Sequence, residues 1–319
     1  MASSHPQLNL ALLLKNVEHL GCEYAERYLG DWRNNASTLQ DNWFEALHFV
    51  FERTFMRGRR DELSNEYLCY TVDRLRTLLM PDNDLDKAFE RVLKYNKSGL
   101  LDVNTILDFK KRHGMVGTKN SITHPSFQVE IAGTNEFVRF LTSKADVTVV
   151  WPDPYSAPKQ YPKNIRLSND MDLMMVMDTL RLLCRPECRN IYCCLMRQIE
   201  SDGLKTAYRT LFELHGVADK LASMTIRDLG ILHPNLISAD FEVVFPVDTW
   251  VRKVATHLGC LAKTDPEIKR YFIRECEQHG VNVILFVAGM WYLGANSLTV
   301  LVREYLGRHP LGDIAEGGG

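Results

Sequence analysis

The sequence predicts a mainly α-helical fold that carries one small strand-containing insertion. Three observations lead there. Apolar residues recur at three- and four-residue spacing over most of the chain. That period is lost between Gly114 and Ser168, where β-branched residues cluster. Prolines then recur at 152, 154, 158 and 162, stiffening the chain and marking a boundary between two lobes over 152–168.

Taken in order, Leu8–Leu29 sets Leu8, Leu12, Val17 and Leu20 at helical spacing, and Asp41–Phe55 repeats the pattern with Trp43, Leu47, Val50 and Phe51. The loop that follows places Arg57, Arg59 and Arg60 around Gly58. It reads either as a clamp on a phosphate backbone, through Arg57 and Arg59, or as a solvated turn with Asp61 capping the next helix. A helix over Glu62–Leu79 stops before Pro81. In the insertion, Phe127–Ile131 and Val147–Trp151 are the expected strands, with a short helix around Phe137, Phe140 and Leu141 between them. Helices resume over Met171–Leu183 and Asn190–Phe212. Asp265 is the expected cap of a helix reaching Gln278, with Pro266 at its first position. A last helix holds Phe286, Met290, Trp291 and Tyr292. The implied division is an N-terminal helical lobe (1–113), the insertion and proline-rich arm (114–168), a second helical lobe (169–260), C-terminal helices packing back on the first lobe (261–307) and a flexible tail (308–319).

Composition bounds the function. A chain of 319 residues with 45% apolar residues fills a core. A formal net charge of −2 excludes a generally basic, nucleic-acid-coating surface, so any such contact is local. Met1–Gln7 is polar, which argues against a secretory leader, and the apolar run Val281–Leu293 is broken by Asn282 and Gly289 and too short for a bilayer. Eight cysteines in that setting are expected to be reduced thiols. The expected location is intracellular, in cytoplasm, nucleoid or nucleus, with no membrane partner.

Several motifs fail on inspection. Asp82–Asp86 alternates acids, but Lys87 stands where a calcium loop needs glycine and Leu93 where it needs a bidentate acid. Lys94 and Thr105 spoil a second such loop around Gly99, and Gly114–Asn120 lacks the spacing of a phosphate loop. Cys184, Cys188, Cys193 and Cys194 contain no Cys-x-x-Cys pair, so buried thiols are expected, with no metal and no cofactor.

The informative stretch is Leu214–Gly259. Gly216 supplies a backbone able to adopt positive φ, so Leu214-His215-Gly216-Val217 reads as a tight turn between helices. Lys220 follows in the first turn of a helix running through Leu221, Met224 and Leu229. Pro246 leads into another helix, for which Asp248 is the expected N-cap ahead of Val251, Val254, Ala255 and Leu258.

These residues carry a resemblance. Leu214-His215-Gly216-Val217-Ala218-Asp219-Lys220-Leu221-Ala222 is similar to the helix-hairpin-helix of the endonuclease III superfamily of DNA glycosylases. Val247-Asp248-Thr249-Trp250-Val251-Arg252-Lys253-Val254-Ala255 resembles that superfamily's Val-Asp-Thr-x-Val-Arg-x-x-Ala segment, which bears the catalytic aspartate. The long connection from Lys220 to Asp248 is closest to the archaeal 8-oxoguanine glycosylase branch. The resemblance covers the last third of the chain. His215 stands where a proline is usual and Ala218 where a second glycine is.

The resemblance implies a two-lobed helical glycosylase fold, acting as a monomer on double-stranded DNA containing a damaged base. Gly216, Val217 and Ala218 would contact the DNA backbone, and Trp291 and Met224 would enclose the extruded base. Both also suit ordinary core packing. Lys220 would be the nucleophile and Asp248 its electrostatic partner. Breaking the base–sugar bond builds positive charge on the sugar, so an everted nucleotide meets a nucleophile and an anion. A neutral amine attacks the sugar carbon to give a Schiff base, after which β-elimination nicks the strand. Desolvation and the positive end of its helix favour the neutral amine, whereas a nearby carboxylate opposes it. Two rivals stand beside this reading: a non-catalytic DNA-structure-binding protein that keeps the hairpin for backbone contact, and a helical scaffold that binds protein through its insertion.

Overall fold

The structure, a computed structural model, describes residues 10–56, 61–115, 117, 120–151, 159–237 and 239–308; Arg57 and Arg59 lie outside them. It is mainly helical. In chain order the helices are α1 (Leu10–Asn34), α2 (Ala36–Asp41), α3 (Trp43–Thr54), α4 (Asp61–Leu79), α5 (Leu85–Lys97), α6 (Asn104–Arg112) and α7 (Glu136–Thr142). Strands β1 (Ala145–Trp151) and β2 (Lys159–Ile165) come next. They are followed by α8 (Asp170–Leu183), α9 (Ile191–Asp202), α10 (Leu204–Phe212), α11 (Asp219–Leu232), α12 (Thr249–His257), α13 (Asp265–Gln278) and α14 (Val283–Arg308). Among the described residues no helix is long and apolar enough to cross a membrane.

The chain divides into two compact units, one of residues 1–34 with 226–319 and the other of residues 35–225. The division falls inside α11 and not in the 152–168 stretch expected from sequence. Helix α1 therefore belongs with α12, α13 and α14.

In the 1–34/226–319 unit, α1 and α14 cross closely because glycines leave room. A Cβ added at Gly289 would lie 1.8 Å from the Val17 carbonyl oxygen, and one at Gly21 would lie 1.9 Å from that of Leu285. Around the crossing, Leu14, Val17 and Leu29 of α1 and Phe286, Val287 and Met290 of α14 are buried, as is Phe272 of α13. Gly289→Ala would push backbone against backbone, so a loss of about 1–3 kcal/mol is expected from urea unfolding. Gly30→Ala, with nothing within 4 Å of the new methyl, is the matched control and is expected to be neutral or stabilising by up to about 1 kcal/mol. Equal effects of the two would contradict close packing at the crossing.

In the 35–225 unit, side-chain caps set where helices begin. Asn42 accepts the N–H groups of Phe44 and Glu45, Asn135 that of Val138, Asn169 that of Met171 and Asn190 that of Cys193. The acid alternation at Asp82–Asp86 has the same use: Asp84 caps α5 through the N–H groups of Asp86 and Lys87, and Asp82 pairs with Arg91 at 2.8 Å. Lys110 and Asp170 form a buried ion pair at 2.8 Å, and Ser121 adds its N–H and hydroxyl to the same carboxylate oxygen.

Four expectations need correction. Phe127–Ile131 is no strand; Gln128–Ala132 is a short π-helical turn, because Phe127 and Ile131, four residues apart, are both buried. The proline-rich arm contributes a strand: β2 pairs antiparallel with β1, Ala145 opposite Ile165 and Trp151 opposite Lys159. Pro162 is tolerated in it because a two-stranded ribbon consists only of edges. The expected helix Asn190–Phe212 is two, broken at Gly203 with φ +84°. Finally, the N-cap of α13 is Thr264 and not Asp265, since the Glu267 carboxylate reaches back to the N–H groups of Lys263 and Thr264.

The cysteines also differ from expectation at one place. Cys188, ending a 3-10 turn, and Cys194, in the first turn of α9, have Cα atoms 4.8 Å apart and are joined as a disulfide. The remaining six are thiols. Burial, with Glu18, Glu275 and Glu277 nearby, pushes the Cys276 thiol from 9.0 up to about 12, and burial pushes the Tyr192 phenol from 10.0 up to about 12. Both groups stay protonated in the fold while they ionise in the unfolded chain. Their stabilisation is therefore complete below pH 9 and is lost as pH rises towards 12. The urea midpoint is expected to hold to pH 9 and fall between pH 9 and 11, less steeply in Cys276→Ala; a midpoint constant to pH 11 would contradict this burial.

Candidate functional site

In the 35–225 unit, α10 and the start of α11 are joined by the turn that sequence anticipates. Leu214 donates its N–H to the Leu211 carbonyl at 3.1 Å and Val217 donates to Leu214 at 3.0 Å, with Gly216 at φ +78°. Buried Leu214 and Val217 hold the turn to the unit, and Gly216 occupies the one position a side chain would strain. The Ala218 carbonyl accepts from Leu221 and Ala222 and so opens α11. Among the described residues the N–H groups of Gly216 and Ala218 have no acceptor. Uncommitted N–H groups at a helix start are what binds a phosphate.

His215 is anchored at two points. Its backbone N–H donates to Asp178 of α8 at 3.1 Å, and its ring Nδ1 meets the same carboxylate oxygen. Asp178 is buried and also pairs with Arg181 at 2.9 Å. Hydrogen bonding thus restrains the turn.

Lys220, half-buried, follows Asp219 in the first turn of α11. Asp219 accepts the Tyr208 hydroxyl at 2.8 Å; burial and that carboxylate push the Tyr208 phenol well up. Met224 is buried, as is every residue from Leu221 to Ile231.

Asp248 and Trp291 belong to the other unit. Asp248 is the N-cap of α12, its Oδ1 accepting the N–H groups of Trp250 at 2.9 Å and Val251 at 3.0 Å, while Phe245, Pro246 and Val247 before it are buried. The cap geometry is the one the sequence anticipates. Trp291 is only 7% exposed and packs edge-on against Tyr24 and Tyr28, each ring centroid 5.7 Å away. Its surroundings are those of a core residue.

Two features escaped sequence reasoning. Trp250, two residues after Asp248, is 40% exposed, with the Lys253 ammonium 4.5 Å from its ring centroid; its signal was the variable position of the Val-Asp-Thr-x-Val-Arg segment. The second is a buried ionic network. Arg227 is fully buried; its Nε and Nη2 donate to Asp228 at 2.9 and 2.7 Å, and Nη2 also donates to the Tyr24 hydroxyl at 2.6 Å. Tyr24 in turn donates to Asp228 Oδ2 at 2.9 Å. Burial opposes the guanidinium charge, but Asp228, Tyr24 and Asp248 hold it on, and the net direction is up. The only sequence signal was a charged pair in the middle of an apolar helix.

Comparison with known proteins finds no family model, no curated protein and no solved structure that matches the chain. Among the described residues no cluster of three or more His, Cys, Asp or Glu is placed to hold a metal ion.

Proposed function

We propose that the chain is a DNA glycosylase with abasic-site lyase activity, acting on an oxidised purine, 8-oxoguanine foremost, in double-stranded DNA. The observation that supports it best is the build of the hairpin. A glycine at positive φ, two N–H groups without an acceptor among the described residues and a lysine in the very next helical turn follow one another in the order such chemistry requires. The capped Asp248 in its Val-Asp-Thr segment adds the second group.

In this reading the hairpin N–H groups take a phosphate and the damaged nucleotide is everted. The Lys220 amine attacks the sugar C1′, and the electrons of the base–sugar bond leave with the base, which takes up a proton. An anion stabilises the cationic sugar and accepts the proton lost by the amine, the role that the resemblance implies for Asp248. The amine then holds the opened sugar as a Schiff base, and loss of a C2′ proton expels the 3′ phosphate. Borohydride reduces that Schiff base to a stable amine, so covalent capture of an 8-oxoguanine duplex is the test. Salt-sensitive duplex binding without capture or nicking over a panel of damaged bases would leave the non-catalytic, structure-binding reading instead.

A further inference from the structure

The helix that leads into the hairpin has two unlike faces. Leu204, Ala207 and Leu211 of α10 are buried, while Lys205, Tyr208, Arg209 and Phe212 occupy the opposite side at i, i+3, i+4 and i+7. Phe212 is 51% exposed, an unusual place for a large aromatic ring. It is not loose. Its ring lies on that of Tyr208, centroids 5.7 Å apart and planes 18° from parallel, and the Tyr208 hydroxyl is fixed by Asp219.

We propose that this face is a stacking platform for an unpaired nucleotide, separate from the catalytic groups. Three features select that occupant. A pre-ordered pair of near-parallel rings presents one open π-face, which any base can cover at little cost in side-chain ordering. Cations precede each ring by three residues, Lys205 before Tyr208 and Arg209 before Phe212, placing positive charge where the backbone of a stacked nucleotide passes. Arg209 is exposed and has no ion-pair partner among the described residues. The platform also ends at Phe212, shortly before the turn whose Gly216 and Ala218 N–H groups have no acceptor among the described residues, so one strand can run from phosphate site to stacking site. An acidic peptide would use the cations but leave the ring stack without a purpose.

The inference stands on α10 and the turn into α11, without the catalytic groups, and survives a failure of the lyase chemistry. Its test uses the full chain carrying Lys220→Gln, so that no turnover occurs, and a duplex with a single-stranded 2-aminopurine overhang. Binding is expected to quench the probe, since stacking shortens its fluorescence. Phe212→Ala and Phe212→Leu are expected to abolish quenching and weaken binding by about 5- to 100-fold, while Phe212→Trp retains both. Phe212→Leu keeps apolar bulk without a π-face, so its loss cannot be assigned to packing. Arg209→Gln is expected to lower affinity and reduce the salt slope by about one charge. Unchanged quenching in Phe212→Leu overturns the proposal. So does a concentration-dependent dimer of the parent that Phe212→Ala dissociates, because a second copy would then cover the face.

Discussion

Lys220→Gln is expected to abolish borohydride capture of an 8-oxoguanine duplex and to lower strand nicking on the order of 10³-fold or more, with duplex affinity little changed. The amide is near the lysine's length but has no nucleophilic lone pair, and its helix position leaves the hairpin intact. The companion variant is Asp248→Asn. Asparagine caps a helix about as well as aspartate, so α12 should keep the bonds to Trp250 and Val251, and the melting temperature should fall only by the lost attraction of Asp248 for buried Arg227. Base release should nonetheless fall by about 10²- to 10⁴-fold, because an amide neither stabilises a sugar cation nor takes a proton. Capture that persists in Lys220→Gln would remove the lysine from the chemistry; full activity in Asp248→Asn would reduce the aspartate to a cap.

Asp228→Ala is expected to be the most destabilising single change, costing about 3–5 kcal/mol in urea unfolding. The side chain removed is the anion against which a fully buried Arg227 is held. What remains is an uncompensated guanidinium whose Nη1 already has no hydrogen-bond partner. Tyr24→Phe removes one hydroxyl from the same network and is expected to cost about 1–2 kcal/mol. The double variant should cost less than the sum, since the three groups share their bonds. Strict additivity would mean that Tyr24 and Asp228 act independently, against the geometry.

The helical periods of α1, α3, α4 and α13 were legible because each has a dry face repeating every turn, and the α12 cap was legible because Pro246 and Asp248 announce it locally. The turn at Gly216 was legible for the same reason: its signal lies within four residues. What stayed hidden depends on partners far along the chain. Nothing near Arg227 shows that Tyr24, about 200 positions away, completes its bonds. Phe127–Ile131 has the composition of a strand, yet the burial of residues four apart makes it a turn of helix. The ribbon's second strand was obscured by its own proline. The pairing of Cys188 with Cys194 depends on how a 3-10 turn meets α9, which spacing alone does not reveal.

The crossing of α1 with α14 has a consequence for synthesis. Helix α1 leaves the ribosome without its glycine-matched partner and waits until α14 has been made. At ordinary elongation rates of about 5–20 residues per second that wait is on the order of tens of seconds. A nascent chain stalled before Val283 can complete the 35–225 unit, but it leaves the apolar face of α1 uncovered. Products interrupted before α14 should therefore be recognised by chaperones through the uncovered face of α1 and not through the site of interruption.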